Sequence, residues 1–256
     1  MKYPKIETIF NRDEKFKVIE GDYRLPEFGN IKTWYVTEKI DGTNVRIFYE
    51  PKWKMWEENG ERFIGGLDKM IIRFMGRTNK AQLHPNLVRF LAKMFTEEKM
   101  ATTFPPREEA PVYPKMILFG EGYGPKIQKG GNYRKDISLR LFDVFIKDHK
   151  NPLGGWWLEP ENVLDIAIKL GIETVPPLGI YSTDDAVDHV KAKAISVVSS
   201  TEDGTPEYLM EGIVARTKPL LFTRKGDRLI WKLKVKDLPN MERRKSIEKQ
   251  TKRMDE

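Results

Sequence analysis

Apolar and polar positions along the chain alternate with two periods, and the shorter one dominates. Trp34-Tyr35-Val36 and Val45-Arg46-Ile47-Phe48-Tyr49 are rich in aromatic and β-branched residues and predict two strands. A third is predicted over 70–75, after a turn at Gly65-Gly66, and continuous apolar runs predict buried strands over 115–120 and 139–146. Strands over 212–215 and 229–235 are joined through Pro219 and a Lys225-Gly226-Asp227 turn. Helical spacing recurs at three places. Leu87, Phe90, Leu91, Met94 and Phe95 predict a helix over 87–95. Residues 160–170 have Pro160 in the first turn, an apolar face of Val163, Leu164, Ile166, Ala167 and Leu170, and Gly171 as a stop. Ser182 or Thr183 can cap a third helix running to about residue 198, with Asp184 and Asp185 in its first turn.

The remainder reads as connections. The first 30 residues are loops and short strands, with turns at Glu20-Gly21-Asp22-Tyr23 and Phe28-Gly29-Asn30. Residues 104–111 are a Pro-rich loop, 122–134 a Gly-rich basic loop, and 237–256 a charged tail, helical or disordered. The fold class is α+β, mainly antiparallel strands with helices packed outside.

Composition narrows the chemistry. Hydrophobic residues at 39% and aromatics at 11% suffice for a core, and 256 residues suit one large domain or one with a small appendage. A net charge of +7 favours a polyanionic partner, though only modestly. Cysteine is absent, which excludes a disulfide scaffold, a thiol nucleophile and a Cys-based zinc site. The three histidines, His84, His149 and His189, are far apart, which argues against a His-rich metal centre or a Ser-His-Asp triad. Met1-Lys2-Tyr3-Pro4-Lys5 lacks a signal-peptide core and no apolar run reaches the roughly 20 residues of a membrane span. A soluble, cytoplasmic protein is expected.

Glu38-Lys39-Ile40-Asp41-Gly42-Thr43-Asn44 separates the first two predicted strands. Taken alone, Asp-Gly between strands signals a hairpin with a solvated lysine beside it. Gly76-Arg77-Thr78, Phe119-Gly120-Glu121-Gly122, Phe142-Asp143, Glu211-Gly212-Ile213-Val214 and Trp231-Lys232-Leu233-Lys234 follow. Each sets a charged or aromatic residue beside a strand, where a rigid scaffold can aim it at one cleft. Each also has an ordinary structural use: a strand-end charge for Arg77, a surface acid for Glu121, core for Phe142.

In this order the segments resemble the covalent nucleotidyltransferase superfamily of ATP-dependent ligases and mRNA capping enzymes. Its motifs run Lys-x-Asp/Glu-Gly, an Arg, a Glu beside Gly, an aromatic-Asp strand, Glu-Gly-x-Val and Lys-x-Lys. All match by residue type except the Arg, which is too short a signature to count. Glu-Lys-x-x-Gly-Thr-Asn and the helix-strand-helix stretch over 160–190 bring the chain nearest the RNA ligase 2-like branch. The likeness covers roughly residues 3–236.

The resemblance implies an adenylation domain over 1–236 with a central nucleotide cleft, and an ATP-grasp-like fold. It implies that Lys39 takes AMP from ATP, passes it to a 5′-phosphate end, and that a 3′-hydroxyl then displaces AMP. A free lysine has a pKa of about 10.4, so only about one in a few thousand is nucleophilic at neutral pH. Lys232, Lys234 and a metal can lower that value, whereas Glu38, Asp41 and Glu211 raise it. Alternation with Trp231, Leu233 and Val235 puts both lysines on one strand face, toward the α-phosphate. By resemblance, Glu38 accepts a hydrogen bond from the adenine amino group or the neighbouring backbone, and Phe142 stacks on the base. Arg77 and Glu121 hold ribose hydroxyls or phosphate, Asn44 a phosphate oxygen, and Glu211 positions Mg²⁺, or Mn²⁺ in its place, through water. Asp41 shapes the turn. The loop Lys126-Ile127-Gln128-Lys129-Gly130-Gly131-Asn132-Tyr133-Arg134 is a candidate strand-contacting surface.

The expected partner is nucleic acid, RNA ends or nicks, and no membrane. Residues 237–256 are too few for the OB-fold or helical domain that usually follows this one, so no separate accessory domain is expected there. Four alternatives stay open: a DNA ligase core, a GTP-dependent guanylyltransferase, a non-catalytic nucleic-acid-binding module, and an interaction protein with an ordinary α+β core, which only the motif set argues against.

Overall fold

The computed structural model describes residues 1–58, 61–105, 115–128, 133–148, 150–201 and 207–239. Thirteen strands occur among them: β1 (Glu7–Thr8), β2 (Phe10–Arg12), β3 (Val18–Tyr23), β4 (Trp34–Glu38), β5 (Thr43–Glu58), β6 (Glu61–Met75), β7 (Met116–Tyr123), β8 (Ser138–Lys147), β9 (Gly155–Trp157), β10 (Glu173–Thr174), β11 (Pro177–Tyr181), β12 (Gly212–Arg216) and β13 (Ile230–Lys234). The helices are α1 (Pro26–Asn30), α2 (Pro85–Met94), α3 (Glu97–Thr103), α4 (Pro160–Leu170), α5 (Thr183–Lys191) and α6 (Val197–Ser200).

Two sheets carry the molecule. The first has the order β1-β13-β12-β4-β11 and the second β10-β8-β7-β5-β6, with β9 added against β8. Pairing is antiparallel apart from β1 on β13 and β10 on β8. This is the expected α+β arrangement. Trp34, Val36, Ile213, Trp231 and Leu233 bury one face of the first sheet against α5 and the N-terminal strands. Val45, Ile47, Leu118, Leu141 and Val144 bury one face of the second against Leu87 and Leu91 of α2, Met100 of α3 and Val163 and Leu170 of α4.

Helix α4 falls on the predicted residues and ends where Gly171 adopts φ 68°, a left-handed turn that glycine enters without a Cβ clash. The third predicted helix starts as expected, Ser182 accepting from the Asp185 N–H, but stops at Lys191. Lys193 then takes φ 52° and Ile195 bridges to Leu209, so α6 is a separate turn. Glu20-Gly21-Asp22-Tyr23 belongs to β3 and Phe28-Gly29-Asn30 to α1, not to turns. Gly65-Gly66 lies inside β6 rather than before it. Strand β5 pairs with β6 from Arg46↔Met75 out to Glu58↔Glu61 but with β7 only over 43–49, so the outer half of this hairpin extends past the sheet. Helix α3 carried no signal beyond its Thr96 cap. Most of the predicted loop at 104–111 and of the tail at 237–256 lies outside the described residues.

The largest correction concerns Asp41-Gly42. Strand β4 belongs to the first sheet and β5 to the second, so the segment is a crossover, not a hairpin turn. Gly42 passes so close to β7 that a Cβ there would sit inside van der Waals contact of the Gly122 carbonyl oxygen, and 2.9 Å from Glu121 Cγ. The crossover carries Lys39 into the space between the two sheets.

Candidate active site

Six strands deliver side chains to one cleft of about 340 Å³ between the sheets. Its walls include Glu38 from β4, Asn44 from β5, Glu121 from β7, Phe142 from β8, Arg216 from β12 and Lys232 from β13, with Lys39 and Arg77 on connecting segments. Of the sequence-predicted residues, only Glu211 and Lys234 stand outside this lining, and both connect to it through Lys39.

Lys39 Nζ donates to Glu211 Oε2 at 2.7 Å, and Lys234 Nζ pairs with Glu211 Oε1 at 2.5 Å. Register places the partners: Ile213 lies opposite Glu38 and Gly212 opposite Lys234, so Glu211 falls between the two lysines. Burial alone lowers the Lys39 pKa and is the largest single effect. Glu211, Glu121 and Asp41 outweigh it and hold the ammonium above the ordinary lysine value. Glu211 is shifted down, because Lys39 and Lys234 outweigh its burial. Glu121 is pushed up to about 7, chiefly by burial and then by Glu211 and Asp41 against the opposing lysines. Its carboxylate makes no hydrogen bond or ion pair among the described residues. Lys232 is pushed down to about 8 by burial, then by Lys234 and Lys39. In β13 Trp231 and Leu233 are buried while Lys232 and Lys234 are half-exposed, the alternation expected from sequence.

Glu38 is 1% exposed and its carboxylate is held by the protein: Ser196 Oγ donates to Oε1 at 2.5 Å, and the Val197 and Val198 N–H groups to Oε2 at 2.8 and 3.4 Å. Phe142 is half-buried, edge-on to Tyr3 with centroids 5.0 Å apart. Asn44 lies opposite Glu121, and its Oδ1 is buried without a hydrogen-bond partner. Arg77 is exposed at the mouth. The Asp41 N–H donates to Tyr133 Oη at 2.9 Å, so Asp41 shapes the crossover from its backbone. Tyr133 itself is wholly buried, which removes it from the proposed strand-contacting loop. Of that loop Lys126, Ile127, Gln128, Tyr133 and Arg134 are described, and Gln128 reaches the cleft.

Several site residues carried no sequence signal. Arg46 is fully buried, donating from Nε to the Gly76 carbonyl at 2.7 Å and from Nη2 to Asn79 Oδ1 at 3.1 Å, which anchors the loop bearing Arg77. An Arg between Val45 and Ile47 looks like any outward strand residue. Tyr3 and Arg216 line the cleft and meet at Asp143, contacts between positions too far apart for a local pattern.

Two facing, mainly antiparallel sheets with a half-buried lysine between them define the nucleotidyltransferase class of fold. The chain belongs to the RNA ligase family, whose sequence model matches residues 32–234. Among solved structures it is similar to a mutant RNA ligase of Naegleria gruberi with ATP and Mn, at 15% identity and a TM-score of 0.50 over 91% of this chain and 62% of that one. It is also similar to an archaeal ATP-dependent RNA ligase, at 16% identity and a TM-score of 0.50 over 92% of this chain and 48% of that one. At these identities the likeness shows the fold. The chain therefore spans about three fifths and about half of these two proteins. No curated protein matches the sequence. Among the described residues no helix is long and apolar enough to cross a membrane.

Proposed function

We propose that this chain is an ATP-dependent RNA ligase that attaches AMP to Lys39, transfers it to a 5′-phosphate end and seals that end to a 3′-hydroxyl. The observation that carries the reading is the placement of Lys39: a half-buried amine in a cleft lined by Glu38, Phe142, Arg77 and Lys232. Adenine stacks on Phe142 with Glu38 in the adjoining wall, and Arg77 and Asn44 take phosphate or ribose oxygens. The orphaned Asn44 Oδ1 fits a hydroxyl or a hydrated phosphate better than a bare phosphate oxygen, because it accepts rather than donates.

In the first step Lys39 Nζ forms a bond to the α-phosphorus of ATP, the bond to the bridging oxygen breaks, and pyrophosphate leaves. Nζ must first lose a proton, and the hydrogen bond to Glu211 Oε2 lies on its way out. Lys232 and Lys234 stabilise the added charge on the α-phosphate in the transition state.

The donor set can be tested for a divalent cation. Asp41, Glu121 and Glu211 all act on Lys39, yet no group of three or more His, Cys, Asp or Glu among the described residues forms a cage. That suits Mg²⁺ or Mn²⁺, which bind by one or two carboxylates, waters and substrate phosphates. Glu211 and Glu121 would hold the ion, and its charge would offset theirs and lower the pKa of Lys39. RNA ends or nicks are the substrate, and residues 1–236 form the adenylation domain.

Intact-protein mass spectra after incubation with Mg²⁺ and ATP or GTP test this reading. The expected result is a gain of one AMP with ATP only, lost in Lys39→Ala. A GMP adduct would instead indicate a capping-type guanylyltransferase. Folded protein with no adduct would overturn self-nucleotidylation and favour a binding module.

A further inference from the structure

Beyond Tyr49 the β5–β6 hairpin has no third strand, since β7 pairs with β5 only that far. An isolated pair of strands is marginal in water, yet this one keeps its register out to Glu58↔Glu61. Every second residue of β5 shares a face, so Asn44, which lines the cleft, is followed on the same side by Phe48, Lys52 and Lys54. Strand β6 adds to this row: Lys69 lies opposite Lys52 and Arg73 opposite Phe48, and the chain then runs on to Arg77 at the cleft mouth. Arg73 and Lys147 both pair with Glu50 and lie 5.2 and 5.4 Å from the centre of the Phe48 ring. Lys52 pairs with Asp68 at 3.1 Å, both of them exposed, and no ion pair of Lys54 or Lys69 occurs among the described residues. Exposed pairs contribute little, so Lys52 can exchange Asp68 for another anion. The row therefore carries a surplus of positive charge, which ends at Glu57 and Glu61 near the hairpin tip.

We propose that this face of the hairpin carries the sugar-phosphate backbone of the RNA strand leading away from the end held in the cleft. The inference rests on the reading of this chain as an RNA ligase. A row of lysines and arginines suits phosphates, which position a strand without reading its bases, so binding here is indifferent to sequence and sensitive to salt. A strand rises about 3.3 Å per residue, which puts Lys54 about 33 Å from Asn44, close to one helical turn of a duplex. The row is also tied to the cleft mechanically, because Arg46, between Asn44 and Phe48 on that face, anchors the loop bearing Arg77. The opposite face of the hairpin exposes Met55 and Ile64, paired in register, and would suit a protein partner instead. Surplus positive charge on the side continuous with the cleft decides for nucleic acid.

The test compares the full chain with a triple variant, Lys52→Ala, Lys54→Ala and Lys69→Ala together. Arg73, Lys147 and Arg77 stay in place, because they brace Phe48 or line the cleft. The readouts are lysyl-AMP formation by intact mass and affinity for a fluorescent 5′-phosphorylated RNA nick over a range of salt concentrations. Lysyl-AMP formation stays within about twofold, because no group at the α-phosphate changes, and it shows that the variant is folded. Affinity for the nick falls at least about tenfold at low salt, and the slope of log affinity against log salt flattens by about 2–3, as about 0.7–0.9 is lost per phosphate contact. A nick whose arms end short of Lys54 binds both proteins more nearly alike. Replacing the same three lysines by arginine keeps the charge and restores binding. Unchanged affinity and salt slope in the alanine variant would overturn the proposal. So would a loss as large with the short nick, or an equal loss in Met55→Ser with Ile64→Ser, which would assign the hairpin to its apolar face. If the wild type forms no adduct, the ligase reading falls and this inference with it. Adduct formation with RNA affinity indifferent to these lysines sinks this inference alone.

Discussion

Lys232 shares its strand face with Lys234 and meets Lys39 across the cleft, so three ammonium groups compete for few carboxylates. Glu211 is taken by Lys39 and Lys234, and no ion pair of Lys232 occurs among the described residues. Burial and the two like charges push its pKa down to about 8, against smaller opposing effects of Asp237 and Glu7. Acylation of Lys232 in the nucleotide-free protein should therefore follow a titration with a midpoint near pH 8, whereas exposed lysines titrate near about 10.4. Peptide-resolved mass spectrometry across alkaline pH measures both, and Lys234→Met should raise the Lys232 midpoint. The linkage sign follows. The folded state binds fewer protons than the unfolded chain between the two pKa values, so this group adds stability as pH rises through that window. At this scale the site was legible where chemistry imposes a residue type at a fixed spacing: Lys39, Glu211 and the Lys232/Lys234 pair. Arg46 and Ser196 were not, because their roles depend on atoms met only after folding.

Elements were legible wherever burial sets a period, and less so where topology decides. Helix α4 shows both its apolar stripe and its glycine stop in the sequence, and its bounds agree with the reading. Asp41-Gly42 shows the opposite. Its dipeptide fits a hairpin, but the partners of β4 and β5 lie in different sheets, and no local pattern reports on partners far along the chain. The glycine is needed for close approach to β7 rather than for a turn. Gly42→Ala should therefore act on the nucleophile without adding or removing charge: its Cβ would press on the Gly122 carbonyl and on Glu121. Overpacking of this kind costs about 1–3 kcal/mol. The backbone shift that relieves it moves Lys39, and misplacement by about 1 Å can cost about a hundredfold in rate. The expected outcome is a lower melting temperature together with a much slower lysyl-AMP step at saturating ATP. A normal rate in a destabilised Gly42→Ala protein would mean that the crossover yields elsewhere and Lys39 stays in place.

A cleft between two sheets needs something to fix the sheets relative to one another, and Asp143 supplies it. This β8 residue is fully buried; its Oδ1 accepts from Arg216 of β12 and from Arg228, each at 2.9 Å, and Oδ2 accepts from Tyr3. Arg228 also donates to Tyr3 Oη at 2.8 Å and lies 3.7 Å over the Trp157 ring. Residues from both sheets and the N-terminal segment thus meet at one carboxylate behind Phe142. Burial alone would raise the Asp143 pKa and is the largest effect, but Arg216, Arg228 and the bond from Tyr3 outweigh it and leave the pKa below its ordinary 3.8. A carboxylate depressed on folding contributes stability that is complete above the unfolded value and is lost as pH falls from there through the folded one. The melting temperature should therefore lose this contribution only below about pH 3.8, and Asp143→Asn should lack that part of the acid dependence. Asp143→Ala removes the acceptor and leaves two guanidinium groups buried without their counter-ion, a change that costs about 3–5 kcal/mol. Arg216→Met, which leaves Asp143 paired with Arg228, should cost less. Equal losses in the two variants, measured by denaturant unfolding at neutral pH, would show that the sheets are held by their apolar packing and not by this carboxylate.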